Sequence, residues 1–277
     1  MNNDYELIDS GFCQKLERFG PYTLIRPSPQ AVWKPSCPKA WEKADASFAR
    51  TEGERWRFRT TVPDEWTIEI DSIRFLLHPT EFGHLGIFTE QRPLWNKIRS
   101  ACMGQTKPRV LNLFAYSGGS TLAAALAGAE VCHLDAAKGM VDWARKNAKI
   151  NGLQAAPIRW IIDDATKFLK REIRRERFYD AIILDPPSFG RGADGEVFKI
   201  EEHILELLSL CHEALSQKPL FVLFSCHTAG FTEETLRYLL EDCFPRKGRE
   251  VETGELTLPG DKRSIPNGVW AYMRFST

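Results

Sequence analysis

Three aspartates and one cysteine each end or follow a short apolar stretch of the chain, and their residue types suggest chemistry on a nucleoside. The stretches are Glu130–Asp135, which ends in Asp135, Ile158–Ile162, which lies two residues before Asp164, Asp180–Leu184, directly before Asp185, and Leu220–Phe224, two residues before Cys226. Each stretch predicts a buried strand, and parallel strands bring their carboxyl ends to one edge of a sheet, where ligands bind. A carboxylate accepts hydrogen bonds from hydroxyls and amines, and a thiolate is a nucleophile. The spacing therefore predicts a shared site at that edge.

A small-residue turn precedes these segments. Val110–Thr121 (VLNLFAYSGGST) begins as an apolar strand and leads into the alanine-rich helix Leu122–Ala127. A dinucleotide fold would place G-x-G-x-x-G here, and a P-loop would add a lysine; only Gly118 and Gly119 are present. The pattern leaves two interpretations, a turn that binds the adenosine of S-adenosylmethionine (SAM) or an ordinary strand-to-helix turn.

The first two aspartates suit a nucleoside cofactor. Asp135 at a strand end is placed to accept both ribose hydroxyls, and Asp164 to accept the adenine amine, with the neighbouring backbone at Ala165 against the ring. The alternative for each aspartate is a helix N-cap.

The loop DPPSF follows the fourth predicted strand. Pro186 and Pro187 fix the backbone and remove two N–H donors, so that nearby carbonyls can face a ligand. Asp185 suits the exocyclic amine or ring N–H of a planar base, and Phe189 can stack on it. The alternative is a proline-stiffened loop with a core phenylalanine.

Cys226 is the candidate nucleophile. Addition of a thiolate to carbon 6 of a pyrimidine makes carbon 5 reactive toward a methyl sulfonium, and such a cysteine needs a lowered pKa or an adjacent base. His227 follows it directly, but we expect its side chain to point to the other face of a continuing strand. The alternative is an ordinary buried cysteine.

From about Gly83 onward the chain resembles the SAM-dependent methyltransferase family of the bacterial 23S rRNA cytosine-5 methyltransferases and their relatives that methylate guanine nitrogen. The matching motifs are Thr89-Glu90-Gln91-Arg92, Asn112-Leu113-Phe114, Ser117-Gly118-Gly119, Asp135, Asp163-Asp164, Asp185-Pro186-Pro187-Ser188-Phe189 and Phe224-Ser225-Cys226. The resemblance implies an α/β, Rossmann-like class I fold with a seven-stranded, mostly parallel sheet.

The resemblance also implies roles for residues. Asp185 and Cys226 are the expected catalytic residues, and Pro186, Pro187 and Phe189 are expected to contact the substrate. The expected SAM-binding residues are Gln91, Arg92, Asn112, Phe114, Ala115, Tyr116, Ser117, Gly118, Gly119, Asp135, Asp164, Ala165 and Asp185. For Arg92 the expected partner is the methionine carboxylate, and a plain surface helix is the alternative.

The N-terminal residues differ in character. Trp56–Thr61 and Trp66–Leu77 alternate as strands do, with a turn at Pro63-Asp64. We predict a β-rich extension over 1–80 and a methyltransferase domain over 81–277. The rRNA cytosine enzymes carry an N-terminal RNA-binding PUA module, and the residues before Gly83 are too few for one with a linker. Exposed tryptophan and arginine could stack bases, with core packing or dimer contact as the alternative.

Composition limits the partners. Lys plus Arg equals Asp plus Glu at 37 each over 277 residues, so no global basic field is present. The basic run Lys167–Arg177 is a pointer to RNA or a solvated helix face. Seven cysteines and six histidines show no metal spacing, and no apolar run has membrane length. We expect a cytoplasmic protein without a metal or membrane partner; the oligomeric state does not follow from the sequence.

The predicted activity is SAM-dependent methylation of RNA, of the rRNA type, at cytosine carbon 5 through a covalent Cys226 adduct. Three alternatives stay open. They are transfer to a base nitrogen without a covalent adduct, a protein or small-molecule methyltransferase, and a SAM-fold protein that serves only as a binding subunit.

Overall fold

The computed structural model describes residues 4–49, 55–191, 197–245 and 247–275. The chain divides into two compact units. The first comprises Met1–Arg92 with Thr257–Asn267, and the second Pro93–Leu256 with Gly268–Thr277. The domain ranges expected from the sequence, 1–80 and 81–277, stay a prediction.

The first unit is rich in β-structure, as the sequence predicts for the N-terminal region. Its described residues contain a five-stranded sheet in the order β1-β2-β3-β4-β5 and a separate β6-β7 hairpin. The elements are β1 (Tyr5–Gly11), β2 (Gln14–Phe19), β3 (Tyr22–Pro27), α1 (Pro38–Trp41), β4 (Ala46–Ala49), β5 (Arg55–Phe58), β6 (Trp66–Ile70), β7 (Ile73–Leu77) and a 3₁₀ turn at Thr89–Gln91.

The β6-β7 hairpin shows where alternation alone fell short. The run Trp66–Leu77 reads as one alternating segment, but it folds back at Asp71 and Ser72, whose φ angles are 50° and 63°. Two consecutive positive φ angles are the requirement of a two-residue type I′ turn, which matches the twist of the flanking strands. The hairpin then buries Ile68 and Phe75 completely on one face.

A buried ion cluster lies in the first unit. The carboxylate of Glu17 has no exposed surface, and it lies 2.7 Å from Arg26 Nη2 and 3.2 Å from Lys15 Nζ. Tyr5 donates its hydroxyl to the same carboxylate at 3.0 Å. Burial alone would raise the pKa of Glu17, but the charges of Arg26 and Lys15 outweigh it and hold that pKa below its usual range. Each of these charges therefore depends on the others, because burial leaves it too little water to replace its partners.

The segment Thr257–Asn267 is built into the first unit by specific contacts. Gly260 pairs with Leu7 in an isolated β-bridge. Gln30 Nε2 donates to the carbonyl of Pro266 at 2.9 Å and to Asn267 Oδ1 at 2.7 Å. This late segment therefore supplies backbone and side-chain partners to residues from the beginning of the chain.

The second unit is a layered α/β structure. Its helices and strands are α2 (Arg92–Cys102), β8 (Arg109–Leu113), α3 (Gly119–Leu126), β9 (Glu130–Asp135), α4 (Lys138–Ile150), β10 (Ile158–Ile162), α5 (Ala165–Arg174), β11 (Ala181–Leu184), β12 (Phe189–Arg191), β13 (Val197–Lys199), α6 (Ile200–Glu213), β14 (Phe221–Cys226), α7 (Glu233–Cys243), β15 (Arg249–Leu258) and β16 (Ile265–Phe275), of which α2, β15 and β16 each have one end in the first unit. In the described residues they form a seven-stranded sheet in the order β10-β9-β8-β11-β14-β16-β15.

The order and direction of the strands confirm the predicted fold class. Neighbours from β10 through β14 are parallel, and β16 enters antiparallel to β14. The central strands are apolar almost throughout and buried on both faces, as parallel strands covered by helices must be. This is the Rossmann-like arrangement of the class I methyltransferase fold.

The register of the central strands aligns their carboxyl ends. Leu113 pairs with Leu134 of β9 and with Leu184 of β11, and Leu184 pairs with Phe224 of β14. The residues that follow these strands therefore emerge along one edge of the sheet. No helix in the described part of the chain is long and apolar enough to cross a membrane.

Candidate active site

The turn between β8 and α3 has an unusual backbone. Phe114, Tyr116 and Gly118 have φ angles of 55°, 50° and 95°. Positive φ is uncommon for residues with a side chain and costs energy, so it persists where the surroundings fix the backbone, often at functional sites. Nothing in the sequence indicates it at Phe114 or Tyr116, because neither residue type favours this region.

The two glycines of the turn allow close packing. A Cβ at Gly118 would lie 3.1 Å from the Cβ of Ala144 in α4, and a Cβ at Gly119 would lie 2.9 Å from Trp95 Cζ2 in α2. Both distances are shorter than ordinary van der Waals contact. The glycines therefore let the turn and the start of α3 sit directly against two neighbouring helices.

We expect Gly118→Ala to destabilise the protein and to weaken SAM binding. The left-handed backbone costs an L-residue roughly 1–2 kcal/mol, before any cost of the short contact with Ala144. Urea denaturation would measure the stability, and calorimetric titration would measure the SAM affinity. Gly139→Ala in α4 is the matched control, because a Cβ at Gly139 would have nothing within 4 Å. An unchanged stability and affinity in Gly118→Ala would contradict the prediction.

A buried polar network anchors the turn from below. Asn112 Nδ2 donates to Thr121 Oγ1 at 2.9 Å, and that hydroxyl also lies 2.9 Å from His133 Nδ1. Asn147 of α4 donates to the carbonyl of Ser117 at 2.9 Å. Burial lowers the pKa of His133 to about 3, so the imidazole is neutral. The side chain of Asn112 thus bonds within the fold, and its role toward the cofactor stays a prediction.

Asp135 joins two backbone segments at the end of β9. Its Oδ2 accepts a hydrogen bond from Tyr116 N at 2.8 Å, and its Oδ1 accepts one from Ala137 N at 2.9 Å. Burial raises the pKa of Asp135, and these two amides offset part of that rise. Position Ala137, not Asp135, is the N-cap of α4. The carboxylate therefore sits beside the strained turn, as the ribose role requires, and that role stays a prediction.

Asp164 is the N-cap of α5. Its side chain accepts a hydrogen bond from Lys167 N at 2.8 Å. Asp163 accepts from Asp164 N at 2.9 Å and forms an ion pair with Arg171. Ala165, the first residue of α5, is buried. The capping interpretation thus describes the observed contact of Asp164, while a contact with adenine stays a prediction.

Asp185 is the centre of a polar group at the ends of β11 and β14. Ser225 Oγ donates to Asp185 Oδ1 at 2.8 Å, and His227 Nδ1 lies 3.3 Å from the same oxygen. About one third of the Asp185 and His227 side chains is exposed, at 30% and 33%. Ser188 and Thr228 are joined through their hydroxyls at 2.7 Å. These side-chain contacts connect the loop after β11 to the end of β14 and the residues that follow it.

The remaining residues of the DPPSF loop divide between core and surface. Pro186 is buried and Pro187 is exposed. Phe189 is 52% exposed at the start of β12, so it is not the core phenylalanine of the alternative interpretation. An exposed ring in the same loop as a carboxylate suits stacking on a planar base, and this use of Phe189 stays a prediction.

Cys226 is the last residue of β14, and its side chain is in the apolar core. It is 1% exposed and belongs to a cluster that includes Phe224, Ile204 and Leu236. Burial raises the pKa of its thiol, the charge of Asp185 raises it further, and hydrogen bonds from Thr228 oppose the rise. Because side chains alternate along a strand, Cys226 and Ser225 point to opposite faces. These surroundings favour the thiol over the thiolate.

Gln91 and Arg92 lie in the first unit. Gln91 ends the 3₁₀ turn and is buried. The guanidinium of Arg92 binds Asp71 in two places, with Nε 3.1 Å from Oδ2 and Nη2 2.8 Å from Oδ1. The cation thus already has a bidentate carboxylate partner within the chain. Its proposed pairing with the methionine carboxylate stays a prediction.

The contacts made by four residues of this region were not expected from the sequence: Thr121, His133, Asn147 and Ser225. Their partners lie between 9 and 40 residues away in the chain, and no local pattern pairs them. His227 was noted only as a neighbour of Cys226, and its expected orientation away from Cys226 agrees with its contact to Asp185.

Comparison with known proteins places these observations in a family. The sequence profile described as S-adenosylmethionine-dependent methyltransferase matches residues 53–214. The crystal structure of a SAM-dependent methyltransferase from Agrobacterium tumefaciens is 37% identical, with a TM-score of 0.94, over 99% of this chain and 91% of that one. SMU.776, solved in complex with SAH, is 19% identical with a TM-score of 0.80 over 98% of this chain and 75% of that one, a likeness of fold.

Several similar proteins are named as methyltransferases of ribosomal RNA. Ribosomal RNA large subunit methyltransferase I of Aeromonas salmonicida is 26% identical over 228 residues, which are 80% of this chain and 56% of that protein. Ribosomal RNA large subunit methyltransferase K/L of Pseudomonas aeruginosa is 32% identical over 146 residues, 52% of this chain and 19% of that protein. The chain thus spans about half of the first relative and a fifth of the second.

Proposed function

Because the chain belongs to the family of S-adenosylmethionine-dependent methyltransferases, we propose that it methylates a base of RNA, of the ribosomal type. The observation that carries the proposal is the group at the sheet edge, where Asp185 accepts from Ser225 and the exposed ring of Phe189 follows in the same loop. A carboxylate and an aromatic face together match the edge and the plane of a nucleobase. The names of the curated relatives point to the same class of substrate.

The residues of the second unit fit the family's cofactor, SAM. The turn after β8 has no lysine that could bind a phosphate, and SAM contains no phosphate group. Asp135 at the end of β9 supplies the acceptor that ribose hydroxyls need, at the edge where ligands of parallel sheets bind. Bound there, SAM supplies an electrophilic methyl group on a sulfonium. The residues of the chain must supply the position and the electrostatics of the acceptor base.

Asp185 and Phe189 perform the positioning in this proposal. A base buried in a helix has to leave its stack to reach such an edge. Asp185 then accepts a hydrogen bond from the exocyclic amine, which orients its lone pair, and Phe189 stacks on the ring. Holding the two reactants in line removes much of the entropic part of the barrier.

Direct transfer to a nitrogen is the acceptor chemistry that the surroundings of Cys226 support. A nucleophilic cysteine needs a stabilised thiolate, whereas this thiol is 1% exposed and its pKa is raised by burial. An exocyclic amine needs no covalent activation. In this reaction Cys226 is a packing residue.

Methylation of cytosine carbon 5 is the second candidate. The position of Cys226 favours this candidate, since Cys226 is the last residue of β14 and the neighbouring strand, β11, is directly followed by Asp185. In that reaction the thiolate would add to carbon 6, and a small movement of the end of β14 would be needed to expose it.

Charge gives the RNA proposal little independent support. Much of the basic run Lys167–Arg177 is engaged within the protein. Arg171 pairs with Asp163, Lys170 with Glu206, and both Arg175 and Arg177 lie near the buried carboxylate of Glu172. The solvated or ion-paired helix is therefore the better description of this run.

For the nitrogen acceptor we expect Cys226→Ser to keep methyl transfer to RNA within about threefold of the original chain, since no covalent nucleophile is used and Thr228 can donate to the new hydroxyl as it does to the sulfur. The measurement is incorporation of labelled methyl from SAM into 23S rRNA transcribed in vitro. Cys243→Ser, at a half-buried thiol of α7, is the matched control. Loss of turnover in Cys226→Ser with unchanged SAM affinity would favour the cytosine candidate instead.

Covalent trapping separates the two acceptors directly. The chain would be incubated with SAM and RNA containing 5-fluorocytosine, with Cys226→Ala in parallel. A stable protein–RNA adduct that disappears in the variant would establish carbon 5 chemistry. Methylated RNA without an adduct would support nitrogen transfer. No methyl on RNA in either assay would argue for another substrate class.

A further inference from the structure

His227 is held at the edge of the sheet by the carboxylate of Asp185. It directly follows β14, and its Nδ1 lies 3.3 Å from Asp185 Oδ1. The same oxygen accepts a hydrogen bond from Ser225 Oγ at 2.8 Å. The backbone places Asp185 directly after β11, and the contacts with Ser225 and His227 fix its carboxylate against the end of β14.

This contact decides which ring nitrogen carries the hydrogen when the imidazole is neutral. A carboxylate oxygen accepts hydrogen bonds, so the ring nitrogen that faces it, Nδ1, carries the hydrogen. In a neutral imidazole the other nitrogen, Nε2, then has the lone pair. The contact with Asp185 thus favours, for the neutral ring, the tautomer whose lone pair is on Nε2.

The backbone of β16 limits where the ring can lie. A Cβ at Gly268 would lie 3.1 Å from His227 Cδ2 and 2.6 Å from the carbonyl oxygen of Cys226. Glycine at this position lets β16 approach both atoms. The ring is therefore bounded by Gly268 on one side and tied to Asp185 through Nδ1, and one third of its side chain is exposed.

The proposed reaction needs a base at this place. The lone pair of the acceptor nitrogen forms the new N–C bond while the C–S bond of the sulfonium breaks, and its electron pair stays on sulfur. The methylated nitrogen then carries one proton too many. We propose that His227 is a catalytic residue that accepts this proton at Nε2, with Asp185 as its positioning partner.

This assignment rests on the proposed function and holds for either acceptor. With cytosine, the proton leaves carbon 5 as the C5–C6 double bond re-forms and the Cys226 thiolate is expelled. The base is needed there to release the adduct. His227 would take that proton in the same way, at the same ring nitrogen.

The test is single-turnover methyl transfer to 23S rRNA transcribed in vitro, with His227→Ala, His227→Gln and the control His212→Ala, whose ring packs on Phe244, the residue after α7. We expect the rate to fall about 10²-fold in both His227 variants, within the range of general base catalysis. SAM affinity by calorimetry should stay unchanged. Added imidazole should restore at least about tenfold to His227→Ala and little to His227→Gln, where the glutamine fills the space.

The possible outcomes separate the assignment of His227 from the proposed function. Rates within about threefold of the original chain, or a loss that imidazole does not restore, would overturn the assignment of His227 while leaving the methyltransferase proposal intact. An adduct that accumulates in His227→Ala would support the assignment through the cytosine route. No methyl transfer to the transcript by the original chain, with SAM bound, would overturn the proposed function itself and this inference with it.

Discussion

Asp185→Asn is expected to lower the turnover number for RNA methylation by about 10³-fold, within the range attributed to positioned acid–base groups. The Oδ1 atom of Asp185 accepts a hydrogen bond from Ser225 Oγ, and the same oxygen faces His227 Nδ1. An asparagine can present its NH₂ group there only by opposing two donors, and it has no charge to hold an imidazolium. Both the orientation of the substrate nucleobase and the transfer of its proton to His227 should therefore be impaired.

The measurement is the turnover number at saturating SAM, with SAM affinity determined separately by calorimetry. Asp242→Asn, an exposed aspartate of α7, serves as the control for loss of one negative charge. A fall of less than about tenfold in Asp185→Asn would show that this carboxylate neither orients the base nor supports the proton acceptor. A large fall in SAM affinity would move its role toward the cofactor.

Glu17→Gln should destabilise the protein by about 3–5 kcal/mol, the usual cost of removing one partner of a buried ion cluster. The substitution keeps the volume but removes the carboxylate with which both Arg26 and Lys15 pair, at a position that no solvent reaches. Urea denaturation at neutral pH, followed by circular dichroism, would measure the free energy of unfolding.

The same cluster predicts a dependence on pH. The pKa of Glu17 is lower in the folded chain than its usual value, because the charges of Arg26 and Lys15 outweigh burial. Its contribution to stability is therefore complete above the unfolded pKa and is lost as the pH falls through the folded one. The difference in unfolding free energy between the original chain and Glu17→Gln should accordingly shrink in acid.

Glu6→Gln is the matched control for this prediction. Glu6 lies on β1 of the same sheet and pairs with Arg18 at 2.9 Å, but the two side chains are 47% and 37% exposed. Exposed pairs contribute about 0–1 kcal/mol. If both glutamine variants cost the same, the burial of Glu17 would not be the source of its effect.

The arrangement of the sheet could be predicted because its determinants are local. Each central strand is a nearly continuous apolar run followed by a chemically distinct residue, as Leu184 is followed by Asp185 and Leu134 by Asp135. Parallel strands with helical crossovers have few possible arrangements. The common edge of Asp135, Asp185 and Cys226 follows from those two conditions.

The remainder depended on contacts between distant residues. Nothing near Arg92 in the sequence indicates that Asp71 binds its guanidinium, and nothing near Cys226 indicates that its thiol lies in a cluster with Ile204 and Leu236. A strand fixes only that neighbours alternate between faces. Which face is core and which is site is decided by the helices that cover it.

The threading of the chain through its two units bears on how the protein is made. Residues before Arg92 belong to a unit that also needs Thr257–Asn267, including the partners of Leu7 and Gln30. On the ribosome, domains usually fold in turn as they emerge. Here the unit that contains Met1–Arg92 cannot be completed until the later segment Thr257–Asn267 has been translated. A fragment that ends at Arg92 would therefore lack a part of its own unit.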